Sequence, residues 1–260
     1  MNRDKLDRLR SIQSWAWYET LFMRPLAILI LYPVADWKFL TPNLMTTIGN
    51  LLKLASAWLI LISEPGDVLT AFIILQVAVL FDHLDGTLAR YQQRWSAFGS
   101  FYDKSSDLVT WTLLIMAIAW VATKQENSML PLLLAGLATN AEAAMGYTKW
   151  LAKAESEKLD WHQSKDDPAI ALAKTKAPVM TAPPQRSPGE WVRWVGRKML
   201  NIFAFQEIDM YLWVGILLLV DRYMWALWGL AILHGGGALA MLGTRLWEMH
   251  KLDESLKPYR

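Results

Sequence analysis

Aspartate is among the costliest residues to bury in a long apolar helix, and this chain sets Asp82, Asp85, Asp103 and Asp107 between strongly apolar runs. Written out, the spacing is Asp82-x2-Asp85-Gly86-x2-Ala89-Arg90-x8-Gly99-x3-Asp103-x3-Asp107. A helix turns by about 100° per residue, so residues three or four apart share a face. Asp82, Asp85, Gly86 and Ala89 then form one stripe, and Gly99, Asp103 and Asp107 form a second. Because the small residues let two helices approach closely, the four carboxylates surround a gap suited to a cation or a polar ligand. Such charges at bilayer depth must be compensated or they neutralise. Hard oxygen donors select Mg2+ or Mn2+. A pair of these ions suits phosphoryl transfer, in which charge develops on both the attacking and the leaving oxygen. The competing reading is an interhelical salt-bridge cluster, for which the local cations Arg90, Arg94 and Lys104 are too few.

Composition places these acids in a membrane. The 260 residues are 54% hydrophobic and include 15 Trp, a residue that favours the headgroup region. The net charge of +2 gives no case for nucleic acid, and the absence of Cys rules out disulfides and thiolate ligands. No secretory signal is expected in the first 24 residues, where Arg3, Lys5, Arg8 and Arg10 stand among acids and aromatics.

The expected fold is an all-α integral membrane protein with six transmembrane helices and an N-terminal amphipathic interfacial helix. Ile12, Trp15, Trp17, Tyr18, Leu21 and Phe22 mark that first helix. The apolar stretch after Arg24-Pro25 is too short to span and is cut by Pro33, so it stays near the interface. Thr41-Pro42-Asn43 opens the first span, with Thr41 or Asn43 as cap. The spans are read at residues 44–62, 68–90, 98–123, 129–151, 207–220 and 223–244, with 91–97 as the loop between the acidic stripes. The resulting division is 1–40 juxtamembrane, 41–151 the first four spans, 152–205 a cytoplasmic loop with an interfacial helix over 190–205, and 206–260 the last two spans with a charged tail. An even span count puts both termini on one side. Lys and Arg gather there, against only Lys124 and Arg222 opposite, so that side is cytoplasmic. The acidic stripes then face the cytoplasm, in the plasma or inner membrane if the source is bacterial.

The spacing, with its Gly, Ala and Arg positions filled, resembles the signature of the CDP-alcohol phosphotransferase (CDP-alcohol phosphatidyltransferase) family of phospholipid synthesis. The resemblance implies a CDP-linked donor, either CDP-diacylglycerol or a CDP-alcohol, a hydroxyl acceptor, release of CMP, and a homodimer. Carried over by position, Asp82, Asp85, Asp103 and Asp107 would hold two divalent metals, with Asp107 also the general base. Gly86 and Ala89 would leave room for the nucleotide. Arg90 and Ser96 would contact the donor, and Gly99, Asn43 and Thr46 would lie close to it. Where members with phosphorylated acceptors often carry a basic residue after the last Asp, this chain has Leu108, which points to an uncharged or zwitterionic acceptor.

Other polar residues have weaker readings. Glu142 and Asn140 would line an acceptor pocket or bond between helices, and Lys149 and Lys153 would bind an acidic group or flank the membrane. Glu207 and Asp209 sit at a helix start, where the dipole favours acids. His83 faces away from the acid stripe, and the run His234-Gly235-Gly236-Gly237 is read as close helix packing. A cation or proton transporter with an intramembrane Asp relay is the alternative function. It calls for carboxylates spread along a path, whereas these gather at one depth.

Overall fold

The computed structural model describes residues 3–10, 17–62, 67–94, 96–166, 187–200 and 207–256. Its elements are α1 (Arg3–Arg10), a π-helical turn (Glu19–Met23), α2 (Arg24–Val34), α3 (Pro42–Ile62), α4 (Asp67–Gln92), α5 (Ala97–Glu126), α6 (Leu130–Asp166), α7 (Pro188–Leu200), α8 (Glu207–Leu219) and α9 (Tyr223–Leu256). Among the described residues there is no strand. Among the same described residues four helices, α3, α4, α5 and α9, are long and apolar enough to cross a membrane. The all-α, multi-pass membrane class is therefore the observed one, whereas only four of the six expected spans meet that criterion.

The two remaining spans differ from expectation for identifiable reasons. At 13 residues α8 rises about 20 Å, short of a hydrocarbon core of about 30 Å. The fourth expected span is the start of α6, whose apolar run is diluted by Asn140, Glu142 and several Ala and Gly; the whole helix is 37 residues long and runs to Asp166, into what composition suggested was loop. Ala, Lys and Glu dominate residues 152–158, and these are good helix formers whatever their charge. Lys153 and Glu157, one turn apart, pair at 3.7 Å. Residues 167–186 of the expected loop lie outside the described residues, as do 201–205 of the expected surface helix, whose observed part is α7.

Helix ends follow capping chemistry. The Leu44 N–H donates to Thr41 Oγ1 at 3.2 Å, so Thr41 is the cap and Pro42 takes the first position, where no N–H is needed. Ser96, in extended backbone, accepts from Gly99 N at 2.9 Å and starts α5. Gln93 turns into the left-handed region (φ 54°), and Arg94 N bonds back to Ala89 O at 3.0 Å. The connection between the acidic helices thus shortens to residues 93–96. Ser187 donates to Glu190 Oε2 through both its N–H (2.8 Å) and its hydroxyl (2.9 Å) at the start of α7.

Helix α3 packs most extensively on α4 and α5, and α6 on α9. Leu75, Leu88, Ile115, Ile118 and Leu227 are buried at the centre of the bundle. A Cβ on Gly49 would lie 3.3 Å from Ala78 O and from Phe81 Cβ, so glycine permits the close α3–α4 approach. Ser56 Oγ donates to Ala71 O (2.8 Å) across the same pair, and Asn50 Nδ2 donates to Ser106 Oγ (2.8 Å) across α3–α5.

The N-terminal segment is tied to the bundle. Helix α1 packs on α2 and α4 and buries Leu6 and Leu9. The Lys5 ammonium and the Tyr91 hydroxyl both donate to Asp36, the latter at 2.6 Å, and Arg8 donates to Tyr91 O at 2.5 Å. Trp17 and Tyr18 are buried while Phe22 is exposed, and Ile12 and Trp15 lie outside the described residues. Tyr18 OH donates to Gln76 Oε1 at 2.7 Å, and burial pushes its pKa up to about 12.

The Lys5 hydrogen bond, helped by Tyr91, holds Asp36 below the usual carboxylate range. A depressed carboxylate pKa means that this tether is complete above the ordinary Asp value and is lost as pH falls through the lowered one. We expect Asp36→Asn to speed amide exchange in α1 at neutral pH. Measured as protection relative to the intrinsic exchange rate at each pH, the wild-type chain should lose protection to the same extent only on acidification below about pH 4, and equal protection in the two proteins at pH 7 would refute the tether.

Candidate metal and phosphate site

The facing acidic stripes meet. One carboxylate oxygen from each of Asp82, Asp103 and Asp107 lies within 4.8 Å of the others, and all three side chains are half-buried. Asp82 lies ten residues before the end of α4, and Asp107 ten residues after the start of α5. Both therefore sit about 15 Å along their helices from the shared α4–α5 turn. Asp85, one turn nearer that turn, is buried and accepts a 2.5 Å hydrogen bond from Thr46 Oγ1 on α3. Three of the four expected ligands thus converge, while the fourth is held by a hydroxyl from the neighbouring helix.

The side chain that sequence reasoning missed is Lys53. It is 3% exposed, and its ammonium donates to Asp107 Oδ1 at 2.7 Å and to Asp82 Oδ1 at 3.2 Å. The signal is present, since Lys53 interrupts an otherwise apolar span, but spacing along the chain points only to Arg90, Arg94 and Lys104, the cations on and between the acid-bearing helices. Lys104 adds a more exposed contact to Asp103 at 3.2 Å. Four carboxylates against these two ammonium groups leave the cluster negative when all are ionised. An all-oxygen, anionic donor set of this kind fits a hard divalent cation such as Mg2+ or Mn2+.

The other expected positions fall into two groups. Arg90 folds back along its own helix, donating to Gly86 O at 3.2 Å, and its guanidinium lies 3.5 Å from where a Gly86 Cβ would stand. Gly86, Ala89 and Arg90 are all partly exposed on the acid-bearing helix. Asn43, Ser96 and Gly99 meet one turn before Asp103. A Cβ on Gly99 would lie 2.9 Å from both Asn43 Oδ1 and Ser96 Oγ. Ser96 therefore has a local role as helix cap.

An aromatic wall closes the deep side. The Tyr211 ring lies 5.7 Å from Lys53 Nζ, Trp111 packs edge-on against Tyr211 at 4.7 Å, and His234 lies 5.9 Å from Trp111. His234 Nδ1 is 3.4 Å from Glu142 Oε2, so Glu142 pairs across α6 and α9, whereas Asn140 bonds to Gly136 O on its own helix. Asp209 is buried and accepts from Tyr18 N at 3.4 Å, facing the N-terminal segment. His83 points to Glu19, 3.9 Å away, consistent with its facing off the acid stripe. Of the three glycines after His234, only Gly237 is closely packed, where an added Cβ would lie 3.2 Å from Met145 Sδ, and Gly235 and Gly236 have open space beside them. Close packing therefore explains one glycine of that run. Between α3 and α5 an open groove of about 480 Å3 is lined by Leu51, Leu54, Phe98, Phe101 and Val109, with Thr47 and Ser106 among its polar groups.

A family model described as CDP-alcohol phosphatidyltransferase matches residues 39–232, which include every acid and cation of the site. Archaetidylinositol phosphate synthase of Pyrococcus horikoshii is 35% identical over 80 residues. That match covers 31% of this chain and 41% of the relative, so it spans about two fifths of the curated protein's length. The crystal structure of Mycobacterium tuberculosis phosphatidylinositol phosphate synthase with CDP-DAG bound superposes with a TM-score of 0.49 at 17% identity, over 86% of this chain and 93% of that one.

The two motif glycines should respond differently to a methyl group. Gly99→Ala meets two polar atoms at the packed α3–α5 end and should destabilise the protein by about 1–3 kcal/mol. Gly86→Ala meets only the tip of a flexible arginine and should leave the melting temperature unchanged or slightly higher. Thermal melts of the two variants beside wild type check the pair, and equal loss in both would contradict the geometry.

Proposed function

Because the chain belongs to the CDP-alcohol phosphatidyltransferase family, we propose that it is a membrane enzyme of phospholipid synthesis. It transfers a substituted phosphoryl group from a CDP-linked donor, CDP-diacylglycerol or a CDP-alcohol, to an acceptor hydroxyl and releases CMP. The observation that carries this reading is the convergence of Asp82, Asp103 and Asp107 from two helices, with Asp85 one turn away. In this reading the four aspartates hold two divalent ions, Mg2+ or Mn2+. Bound there, such ions polarise a diphosphate and stabilise the departing CMP.

The chain's own groups supply the rest. Arg90 moves from the Gly86 carbonyl to the donor's phosphate oxygens, a fork-shaped partner for them. Gly86 and Ala89 leave the helix surface low enough for the nucleotide, and Asn43, Ser96 and Gly99 border it at the cytoplasmic end. Thr46 fixes one oxygen of Asp85 and leaves the other for a metal. Asp107 takes the proton of the acceptor hydroxyl as that oxygen attacks phosphorus. Glu142 and His234, beyond the aromatic wall, favour an acceptor head group that donates hydrogen bonds or carries positive charge over a phosphorylated one. The α3–α5 groove offers apolar space for an acyl chain.

The same reading keeps six crossings, with the start of α6 and α8 joining the four long apolar helices, and keeps the division at residues 40, 151 and 205. It places both termini and the site in the cytoplasm, on the inner membrane in a bacterium, and makes the enzyme a homodimer. Transport is disfavoured because the acids share one level instead of marking a path.

Purified full-length protein with Mg2+ or Mn2+, each donor type and a panel of hydroxyl acceptors should release CMP from at least one pair. Asp107→Asn should lower kcat by about 10²–10⁴-fold, and Gly86→Ala should raise KM for the donor with a smaller change in kcat. No CMP from any donor and acceptor pair would reject the assignment.

A further inference from the structure

Lys53 is a buried charge that the reaction just described does not use. It enters from α3, whereas the acids it touches lie on α4 and α5, so a single ammonium joins three helices at one level. Its position is built: the side chain is 3% exposed, hydrogen-bonded to both carboxylates, with the Tyr211 ring 5.7 Å from its nitrogen. Asp82 and Asp107 are also two of the three residues whose oxygens converge within 4.8 Å. The same two carboxylates are therefore claimed by an internal cation and by the candidate metal position.

The two claims oppose each other. A small divalent ion takes carboxylate oxygens at about 2.0–2.1 Å, closer than any ammonium hydrogen bond. Positive charges a few ångströms apart in a half-buried site repel strongly. A lysine is suited to yielding in such a contest, because its ammonium is a point charge on a flexible four-carbon stem. The face of Tyr211 gives the displaced ammonium a favourable surface to move toward.

We propose that Lys53 is a displaceable counter-ion: it holds Asp82 and Asp107 together in the metal-free protein and competes with the divalent ion for their oxygens, thereby setting the site's metal affinity. The inference rests on the metal reading above. It makes Lys53 a positioning residue, and it predicts an effect opposite to that of losing a ligand. Removing a ligand weakens metal binding, whereas removing a competitor strengthens it, and the coupling is reciprocal.

The test is Mn2+ binding, followed by electron paramagnetic resonance or calorimetry on full-length protein in detergent, for wild type, Lys53→Met, Lys53→Gln, Lys53→Arg and Asp103→Asn. The neutral variants should bind Mn2+ more tightly, on the order of tenfold, and Lys53→Arg should stay near wild type. In EDTA the neutral variants should melt below wild type, and Mn2+ should raise their melting temperature by more than it raises that of wild type. Lys53→Gln retains a hydrogen-bonding group, which keeps the comparison open if Lys53→Met does not fold. Unchanged or weaker Mn2+ binding in the neutral variant that folds, with Asp103→Asn still losing metal, overturns the Lys53 proposal and leaves the metal site standing. Absence of Mn2+ binding in every protein including wild type overturns both.

Discussion

Carboxylates inside a helical membrane protein must be matched by positive charge at their own depth, and most of the local architecture follows from that demand. Asp82 and Asp107 lie near the middle of helices whose other side chains are mainly apolar. The match comes from α3, whose Lys53 reaches both, and Thr46 on the same helix reaches Asp85. Helix α3 therefore does more than cover the acid-bearing pair. Its close approach at Gly49, where a Cβ would press on Ala78 O and Phe81 Cβ, brings a cation and a hydroxyl within range.

Two kinds of rigidity meet at this place. At the end nearest the α4–α5 turn, Thr41 and Ser96 cap α3 and α5, and Gly99 lets Asn43 and Ser96 close on each other. At the deep end, Trp111 and Tyr211 form an aromatic wall behind Lys53. Between these fixed layers lie the groups free to rearrange. Arg90 is bonded to a carbonyl on its own helix, and Lys53 is held by contacts that a stronger cation can replace. A site fixed at both ends with movable charges between them suits a polar ligand that brings its own charge.

Much of this was legible in the sequence because helical periodicity converts spacing directly into a shared face. The Asp-x2-Asp and Asp-x3-Asp intervals could place their carboxylates only on two stripes, and a connection of a few residues forces the stripes into adjacent helices. What was not legible came from contacts between segments distant along the chain. Lys53 is 29 residues from Asp82 and 54 from Asp107, and no local rule marks such a partner beyond the oddity of a lysine in an apolar run. The Glu142–His234 pair was half visible, as an acid awaiting a partner on another helix. The extent of α6 was misjudged because charge was read as solvent-exposed loop, although Ala, Glu and Lys favour helix over many turns.

The residues proposed to take the proton and hold the metals, together with Lys53, all fall between Asn43 and Asp107, on three helices that follow one another directly. Although the partners are up to 54 residues apart, the loops that join them close without any chain beyond Asp107. During insertion from the ribosome, the acids can thus meet their lysine before the C-terminal half has been synthesised, sparing the nascent chain a period with uncompensated charge in lipid. Trp111, Tyr211 and His234 follow and close the layer behind Lys53, so the order of the genetic message itself favours the costliest part of the bundle.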